Sequence, residues 1–251
     1  MSKIHKPHLS IVIPVYNEEK RVNNLIQIIS YFKKQRYSWE VIVVNDGSTD
    51  KTIRKLKLLK NKASLFPNGN KLRFKILSYY PNTGKGFAIK TGMLSATGKH
   101  RLFLDIDLST PIDEVDKFLP FLKKFDIVIG SRKMKSSEVI VRQSLLREFL
   151  GKTFTYISQK ILQMNVSDFT CGFKCFNDKA AEVIFAKQKI HRWGFDPEIL
   201  YIGKSKKHSI KEVPVRWKND PGTKVKFPRD IINSLIELVL IRLNSLRGLY
   251  R

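Results

Sequence analysis

The stretch LSIVIPVYNEEKRVNNLIQIISYFKKQRYSWEVIVV, residues 9–44, decides the architecture. An apolar run from Leu9 to Val15 is followed by Val22, Leu25, Ile26, Ile29 and Phe32 at helical spacing, and then by a second run, Glu40 to Val44. Runs that are apolar without alternation read as strands buried on both faces, and a strand, helix, strand order sets them parallel in one sheet. The pattern recurs downstream. It predicts strands at Leu72–Leu77, Arg101–Leu104 and Phe125–Ile129, and helices over Lys51–Lys60, Gly86–Ala96 and Asp113–Lys123, with Asn17 and Ser48 or Thr49 as helix caps. The expected class is therefore α/β, a mainly parallel sheet with helices on both faces.

The remainder of the chain is less regular. Lys60–Lys71, with Pro67-Asn68-Gly69-Asn70, reads as a loop, and the basic, Ser-rich stretch Arg132–Val141 is expected to be mobile. A helix is expected at about Ser144–Gln163, with strands at Gly172–Phe176 and Ile210–Trp217. From Asp230 to Tyr250, apolar Ile231, Leu235, Leu238, Val239, Leu243 and Leu246 share a broad face beside Arg242, Arg247 and Arg251. Such a helix either packs on the core or lies on a membrane.

Composition narrows the partners. A hydrophobic content of 42% supports a substantial core, and a net charge of +25 creates a field that concentrates nucleic acid, phosphorylated small molecules or anionic lipid. Cys171 and Cys175 are too few for a disulfide scaffold, and with five scattered histidines they argue against zinc. Two reduced, buried thiols are expected. Pro14 and the polar Tyr16 to Glu19 interrupt the first apolar run, so it is no secretory leader, and no segment has the roughly 20 apolar residues of a membrane span. The expected location is cytoplasmic.

The chemistry collects at strand ends. The first strand closes in Pro14-Val15-Tyr16-Asn17-Glu18-Glu19 and the second in Asn45-Asp46-Gly47-Ser48-Thr49-Asp50. Asn82-Thr83-Gly84-Lys85-Gly86 then suits phosphate contact ahead of a helix. Asp105 and Asp107, in RLFLDIDLSTP (101–111), close another strand. In α/β sheets ligands bind outside the carboxyl ends of strands. Magnesium-type ions are held there by one or two carboxylates together with substrate phosphates. Each motif alone is common in solvated turns; four in order along one sheet edge are a specific signal.

With these residues in place, the chain resembles the family-two inverting glycosyltransferases of the GT-A fold, a Rossmann-like architecture. PVYNEE (14–19), NDGSTD (45–50), NTGKGFAIKTGM (82–93) and DIDLSTP (105–111) match that family's order and spacing. IGSR (129–132), DFTCGFKCF (168–176), RWGFDPEILYI (192–202), VPVRW (213–217) and GTK (222–224) resemble its dolichyl-phosphate glucosyltransferase branch. Asn45 departs from the Asp usual in the family. The transmembrane anchor that precedes the eukaryotic enzymes is not expected in the first residues given, and membrane attachment is expected from other segments.

The resemblance implies transfer of a hexose, glucose from UDP-glucose, to a polyprenyl or dolichyl phosphate with inversion, at the cytoplasmic face of a membrane to which the protein binds peripherally. It implies residues 1–228 as the catalytic domain, with 1–131 holding the nucleotide-sugar half and 132–228 the acceptor half, and 229–251 as a membrane-interface helix. Tyr16 and Asp46 would bind the nucleobase, Glu18 would lie near the nucleotide, and Asp105 would face the ribose. Pro14, Asn17, Gly84, Lys85 and Ile106 would complete the donor site. Asp107 would hold Mg2+ or Mn2+, with Asp105 and Ser109 as further oxygen ligands. Arg132, Arg142, Arg147 and Lys224 are candidates to clamp the acceptor phosphate, since guanidinium groups grip phosphate oxygens in pairs. A solvated basic face is the alternative for them.

The catalytic set expected from the resemblance is Asp107, Arg132, Asp196 and Glu198. Stabilising charge on a departing diphosphate is electrostatic catalysis, and an acceptor phosphate with a second pKa of about 6 needs no strong base. For Asp196 and Glu198 the open roles are base, orientation of sugar hydroxyls, or loop scaffolding. Alternative functions are a polyprenyl-phosphate mannosyltransferase using GDP-mannose, a polysaccharide transferase with a sugar-hydroxyl acceptor, and a basic nucleic-acid-binding module. The last lacks a recognition helix, RNA-binding strand signature or zinc knuckle, so nucleic acid is not an expected partner.

Overall fold

The computed structural model describes residues 6–62, 73–220, 222 and 229–251. In chain order its elements are β1 (Leu9–Val15), α1 (Asn24–Lys33), β2 (Trp39–Asp46), α2 (Thr52–Lys60), β3 (Arg73–Tyr79), α3 (Lys85–Ser95) and β4 (His100–Leu104). There follow α4 (Val115–Phe118), β5 (Ile127–Ser131), β6 (Glu138–Val141), α5 (Leu145–Leu162), β7 (Phe173–Asn177), α6 (Asp178–Lys187), α7 (Phe195–Ser205), β8 (Ile210–Pro214), β9 (Arg216–Lys218) and α8 (Arg229–Leu246). Seven strands form one sheet in the order β3-β2-β1-β4-β7-β5-β8. The register Leu9↔Trp39 to Val15↔Asn45, with Leu9↔His100 on the other side, ends β1, β2 and β4 at one carboxyl edge.

All sheet pairs are parallel except those of β7, which runs antiparallel between β4 and β5. That inversion matters for the site. The long α5 returns the chain to the carboxyl edge before β7 begins, so Asp168 to Gly172 lie beside the ends of β4 and β5 instead of at the far side.

Alternation along the strands sorts the core into two layers. Leu9, Ile11, Ile13, Val41, Val43, Leu102 and Leu104 face α1, α2 and α4, while Val12, Ile42, Val44 and Phe103 face α3, α6 and α7. These side chains are fully buried, each contributing roughly 1.5–3 kcal/mol. Cys171 and Cys175 are free and buried, as expected, and burial pushes the Cys171 thiol up to about 11.

Several expectations need correction. Asn17 and Ser48 or Thr49 cap no helix. Asn17 sits at φ 50° and accepts the Thr49 N–H, Ser48 Oγ accepts the Asn17 N–H, and the Thr52 N–H is taken by Asp50. The helix expected over Asp113–Lys123 is broken into α4 and two flanking 3₁₀ turns, because Pro120 has no N–H to continue it. The strand expected over Ile210–Trp217 divides into β8 and β9. The second pairs with β6, so a regular strand occupies part of the segment expected to be mobile. Helices α6 and α7 were not anticipated, although Asn177 caps α6 through the Ala180 N–H at 2.7 Å. Most of the expected Lys60–Lys71 loop lies outside the described residues.

At the amino edge, His8 and His100 meet edge to face at 5.1 Å, and His100 Nδ1 is buried without a hydrogen-bond partner among the described residues. Burial first, then His8 and Lys99, push His100 down to about 4, against a weaker opposite pull from Asp178. The unfolded chain therefore binds more protons than the folded one between about pH 6.5 and 4, and stability falls as pH falls through that window. His100→Gln should flatten this acid limb, measured as the change in urea midpoint between pH 7 and pH 4.5.

Candidate active site

One large cleft, about 1530 Å³, opens along the carboxyl edge. Its floor is acidic. Asp107 Oδ1 accepts the Ser109 N–H at 2.9 Å, and burial, then the neighbouring Asp105, raise the Asp107 carboxyl against the pull of Ser109 and Lys85. Asp105 is held by Lys85 Nζ at 2.6 Å. Burial opposes the charge on Lys85, but Asp105, Asp196 and Asp107 outweigh it and leave the ammonium above its ordinary range. Gly172, at the head of β7, presses against this group. A Cβ there would lie 2.1 Å from Asp105 Oδ2, so any side chain would displace the carboxylate.

The second acidic centre is buried. Asp196, 4% exposed at the start of α7, pairs with Lys174 Nζ, which also donates to the Cys171 carbonyl at 2.7 Å and lies 5.4 Å from the Phe103 ring. Burial raises the Asp196 carboxyl, opposed by Lys174 and Lys85. On the far wall Arg132 grips Asp168 through Nε and Nη2 at 2.7 and 2.8 Å and stacks 5.4 Å from the Trp217 ring. Burial works against the Asp168 anion, but the guanidinium prevails and holds it well below the usual carboxylate range.

The donor set is one of hard oxygens, and among the described residues no three His, Cys, Asp or Glu side chains converge as a complete metal cage. Asp105 and Asp107 fit an ion of the magnesium class that takes its other ligands from a phosphorylated molecule, and their mutual repulsion is what such an ion would relieve.

Comparison with known proteins identifies the chain. Residues 10–185 match the Glycosyl transferase family 2 model. The chain belongs to glycosyl transferase family 2. This glycosyltransferase is 34% identical to the dolichyl-phosphate beta-glucosyltransferase of Saccharomyces cerevisiae over 97% of its length and 76% of the yeast protein. The Homo sapiens dolichyl-phosphate beta-glucosyltransferase is 33% identical over 97% of this chain and 77% of its own. A crystal structure of Mycobacterium tuberculosis glucosyl-3-phosphoglycerate synthase with Mn2+ and UDP-glucose superposes with a TM-score of 0.63, covering 95% of this chain and 78% of that one, at 17% identity. The fold is thus the expected GT-A architecture.

The transferase's cleft gathers Pro14, Tyr16, Asn17, Glu18, Asp46, Gly84, Lys85, Asp105, Ile106, Asp107, Ser109, Arg132, Arg142, Arg147 and Asp196. Asp46 is also structural: its carboxylate accepts Asn82 Nδ2, the Thr83 N–H and the Gly84 N–H at 2.7–2.9 Å, shaping the turn before α3. Asn45, the departure from the family pattern, is buried away from the cleft and donates to Ser78 Oγ at 2.9 Å. Glu198 is not brought to the cleft. It is fully buried and accepts the N–H groups of Lys189 and Ile190 and the hydroxyl of Tyr250. Lys224 lies outside the described residues. Sequence reasoning missed Arg21, which joins Glu18 to Asp220 at 2.8 and 2.6 Å, and Trp193, whose ring lies 5.8 Å from Lys85 Nζ. Only the RWG stretch before Asp196 hinted at Trp193.

Asp168→Asn should cost about 3–5 kcal/mol, because it strands the Arg132 charge beside a buried amide. Asp105→Asn, at the partly open cleft floor, should cost less than about 1 kcal/mol. Urea denaturation of both variants tests the contrast.

Proposed function

We propose that this transferase moves glucose from UDP-glucose to a dolichyl or related polyprenyl phosphate, while bound peripherally to a membrane. The observation that carries the reading is the continuity of the cleft. One cavity is lined both by Asp105, Asp107 and Lys85 and by Arg142, Arg147, Leu150 and Phe154 of the α5 region with Ile231 and Ser234 of α8. A diphosphate would meet the first group, and an acceptor with an ionised head and a long apolar tail matches the second. The yeast and human relatives, named for this reaction, support the acceptor and the sugar.

In this reading Tyr16 and Asp46 meet the nucleobase, with Pro14, Asn17, Glu18 and Ile106 around the nucleotide and Asp105 toward its ribose. Asp107, with Asp105 and Ser109, would hold Mg2+ or Mn2+, an ion whose charge would offset that of the departing diphosphate. Lys85 lies close enough to both aspartates to contribute there as well. Gly84 lets the turn approach the phosphates. Residues 1–131 serve the donor and 132–228 the acceptor. Arg142 and Arg147 hold the acceptor phosphate, whose own oxygen attacks the anomeric carbon from the face opposite the leaving group. Arg132, already engaged by Asp168, shapes the wall between the two sites. Asp196, paired with buried Lys174, acts by orientation and not as a base.

Membrane attachment is supported by the outer faces of α5 and α8. Leu145 (83% exposed), Leu146 and Phe149 on α5, and Ile232, Ile236 and Leu246 on α8, are exposed apolar residues among Arg142, Arg147 and Lys152. Leu238 and Ile241 on the opposite side of α8 are fully buried, so the helix is both core and surface. Among the described residues no helix is long and apolar enough to cross a membrane. Cations near an anionic leaflet contribute about 1 kcal/mol each, enough in combination with partial insertion of α5.

Three outcomes are expected. Purified enzyme should form glucosyl phosphodolichol from UDP-glucose, whereas faster turnover with GDP-mannose would assign it to the mannosyl reaction. Asp107→Asn should abolish metal-dependent UDP binding by calorimetry with little change in melting temperature, and Gly172→Ala should weaken it about tenfold, equal to about 1.4 kcal/mol, by displacing Asp105. Leu146→Glu combined with Phe149→Glu should reduce flotation with anionic liposomes, while Leu58→Glu, an exposed apolar site on α2, should not.

A further inference from the structure

Residues 188–194 connect α6 to α7 without regular secondary structure, yet they lie directly on the start of α3. Gln188 Nε2 donates to the Gly86 carbonyl at 2.9 Å, Lys90 Nζ donates to the Gln188 carbonyl at 2.7 Å, and the Phe87 N–H donates to the His191 carbonyl at 3.1 Å. The approach is close enough that Gly84, at φ +119°, leaves no room for a Cβ, which would fall 2.4 Å from the His191 oxygen. The same strap carries Arg192 and Trp193 into the cleft, where the Trp193 ring lies 5.8 Å from Lys85 Nζ.

A strap with no ladder of its own must find partners for its buried N–H groups elsewhere. It finds three carboxylate contacts, all from behind the cleft. Glu198 on α7 accepts the Lys189 and Ile190 N–H groups, each at 2.9 Å. Glu237 on α8 accepts the Gly194 N–H at 2.7 Å. Glu198 is itself held by the hydroxyl of Tyr250, beyond the end of α8, at 2.7 Å, and Tyr250 is 3% exposed. Tyr201 Oη donates to Ser245 Oγ at 2.9 Å, which ties α7 to α8 beside this bond.

We infer that Glu198, Glu237 and Tyr250 are positioning residues that clamp the 188–194 strap, and through it Trp193 and the Gly84–Lys85 turn, in the geometry that receives the donor diphosphate. None of the three lies on the cleft's lining, so each acts only through the strap. The inference rests on the reading that Lys85 meets that diphosphate. It gives α8 a second task beside its exposed apolar face: the helix proposed to meet the membrane also holds one wall of the donor site.

The test uses the full chain with Tyr250→Phe and Glu237→Met, which keep side-chain size but remove the bonding oxygen, and Leu56→Ala in the opposite core layer as a control for general destabilisation. Amide hydrogen exchange over 188–194 and calorimetric affinities for magnesium pyrophosphate and magnesium UDP are measured well below each melting temperature. The clamp requires faster exchange in the strap and affinities lowered about tenfold for both ligands in the first two variants, the scale of lost supporting contacts at ligand sites. Leu56→Ala should lower the melting temperature without moving either affinity. Wild-type affinities in Tyr250→Phe and Glu237→Met, or an equal loss in Leu56→Ala, would overturn the clamp. A wild-type protein that binds pyrophosphate but not UDP would sink the uridine reading, and pyrophosphate would still decide the clamp. Binding of neither would overturn both.

Discussion

Acidic groups gathered at one edge of a sheet repel one another, and the rest of this structure is arranged around meeting that constraint. Asp105, Asp107 and Asp196 converge at the carboxyl edge of the sheet, where burial pushes Asp107 and Asp196 toward the neutral form. Two lysines answer it from opposite sides. Lys85 reaches across from α3 to Asp105, and Lys174, fully buried in β7, pairs with Asp196. The alternation of sign keeps the floor anionic without leaving it uncompensated, a state suited to a cation that arrives together with a phosphorylated ligand.

The antiparallel course of β7 is what makes this compensation possible. Were β7 parallel to its neighbours, Asp168, Gly172 and Lys174 would approach from the other end of the sheet. Inverted, it delivers Lys174 beneath Asp196, Gly172 against Asp105, and Asp168 to Arg132. Arg132 and Asp168 form a charge-compensated pair in the same cleft that Arg142 and Arg147 line. In a protein of net charge +25, the cleft thus carries three aspartates, Asp105, Asp107 and Asp196, together with Arg142 and Arg147.

Much of this was legible in the chain itself. Unbroken apolar runs such as Leu9–Val15 and a helix face such as Leu25, Ile29 and Phe32 encode strand and helix locally, because burial on two faces or one is a property of spacing. Turn-forming residues at the ends of those runs brought Tyr16, Asp46, Lys85, Asp105 and Asp107 to one edge once parallel order was inferred. What spacing could not reveal was the partner of each charge. Asp196 and Glu198 are two residues apart in one motif, yet one faces the cleft beside Lys174 and the other turns inward to Tyr250, 52 residues away. The opposite faces of one helix decide that difference, and α7 carried no clear periodic signal because it is buried nearly all round. Likewise the apolar pattern of α8 was compatible with core or membrane; tertiary packing buried Leu238 and Ile241 and left Ile232 and Ile236 outside. Local chain chemistry determined which elements form and where ligand-binding residue types collect. Which of those residues are free to meet a ligand, and which are neutralised from within, depended on long-range ion pairs and hydrogen bonds that exist only after the sheet has closed.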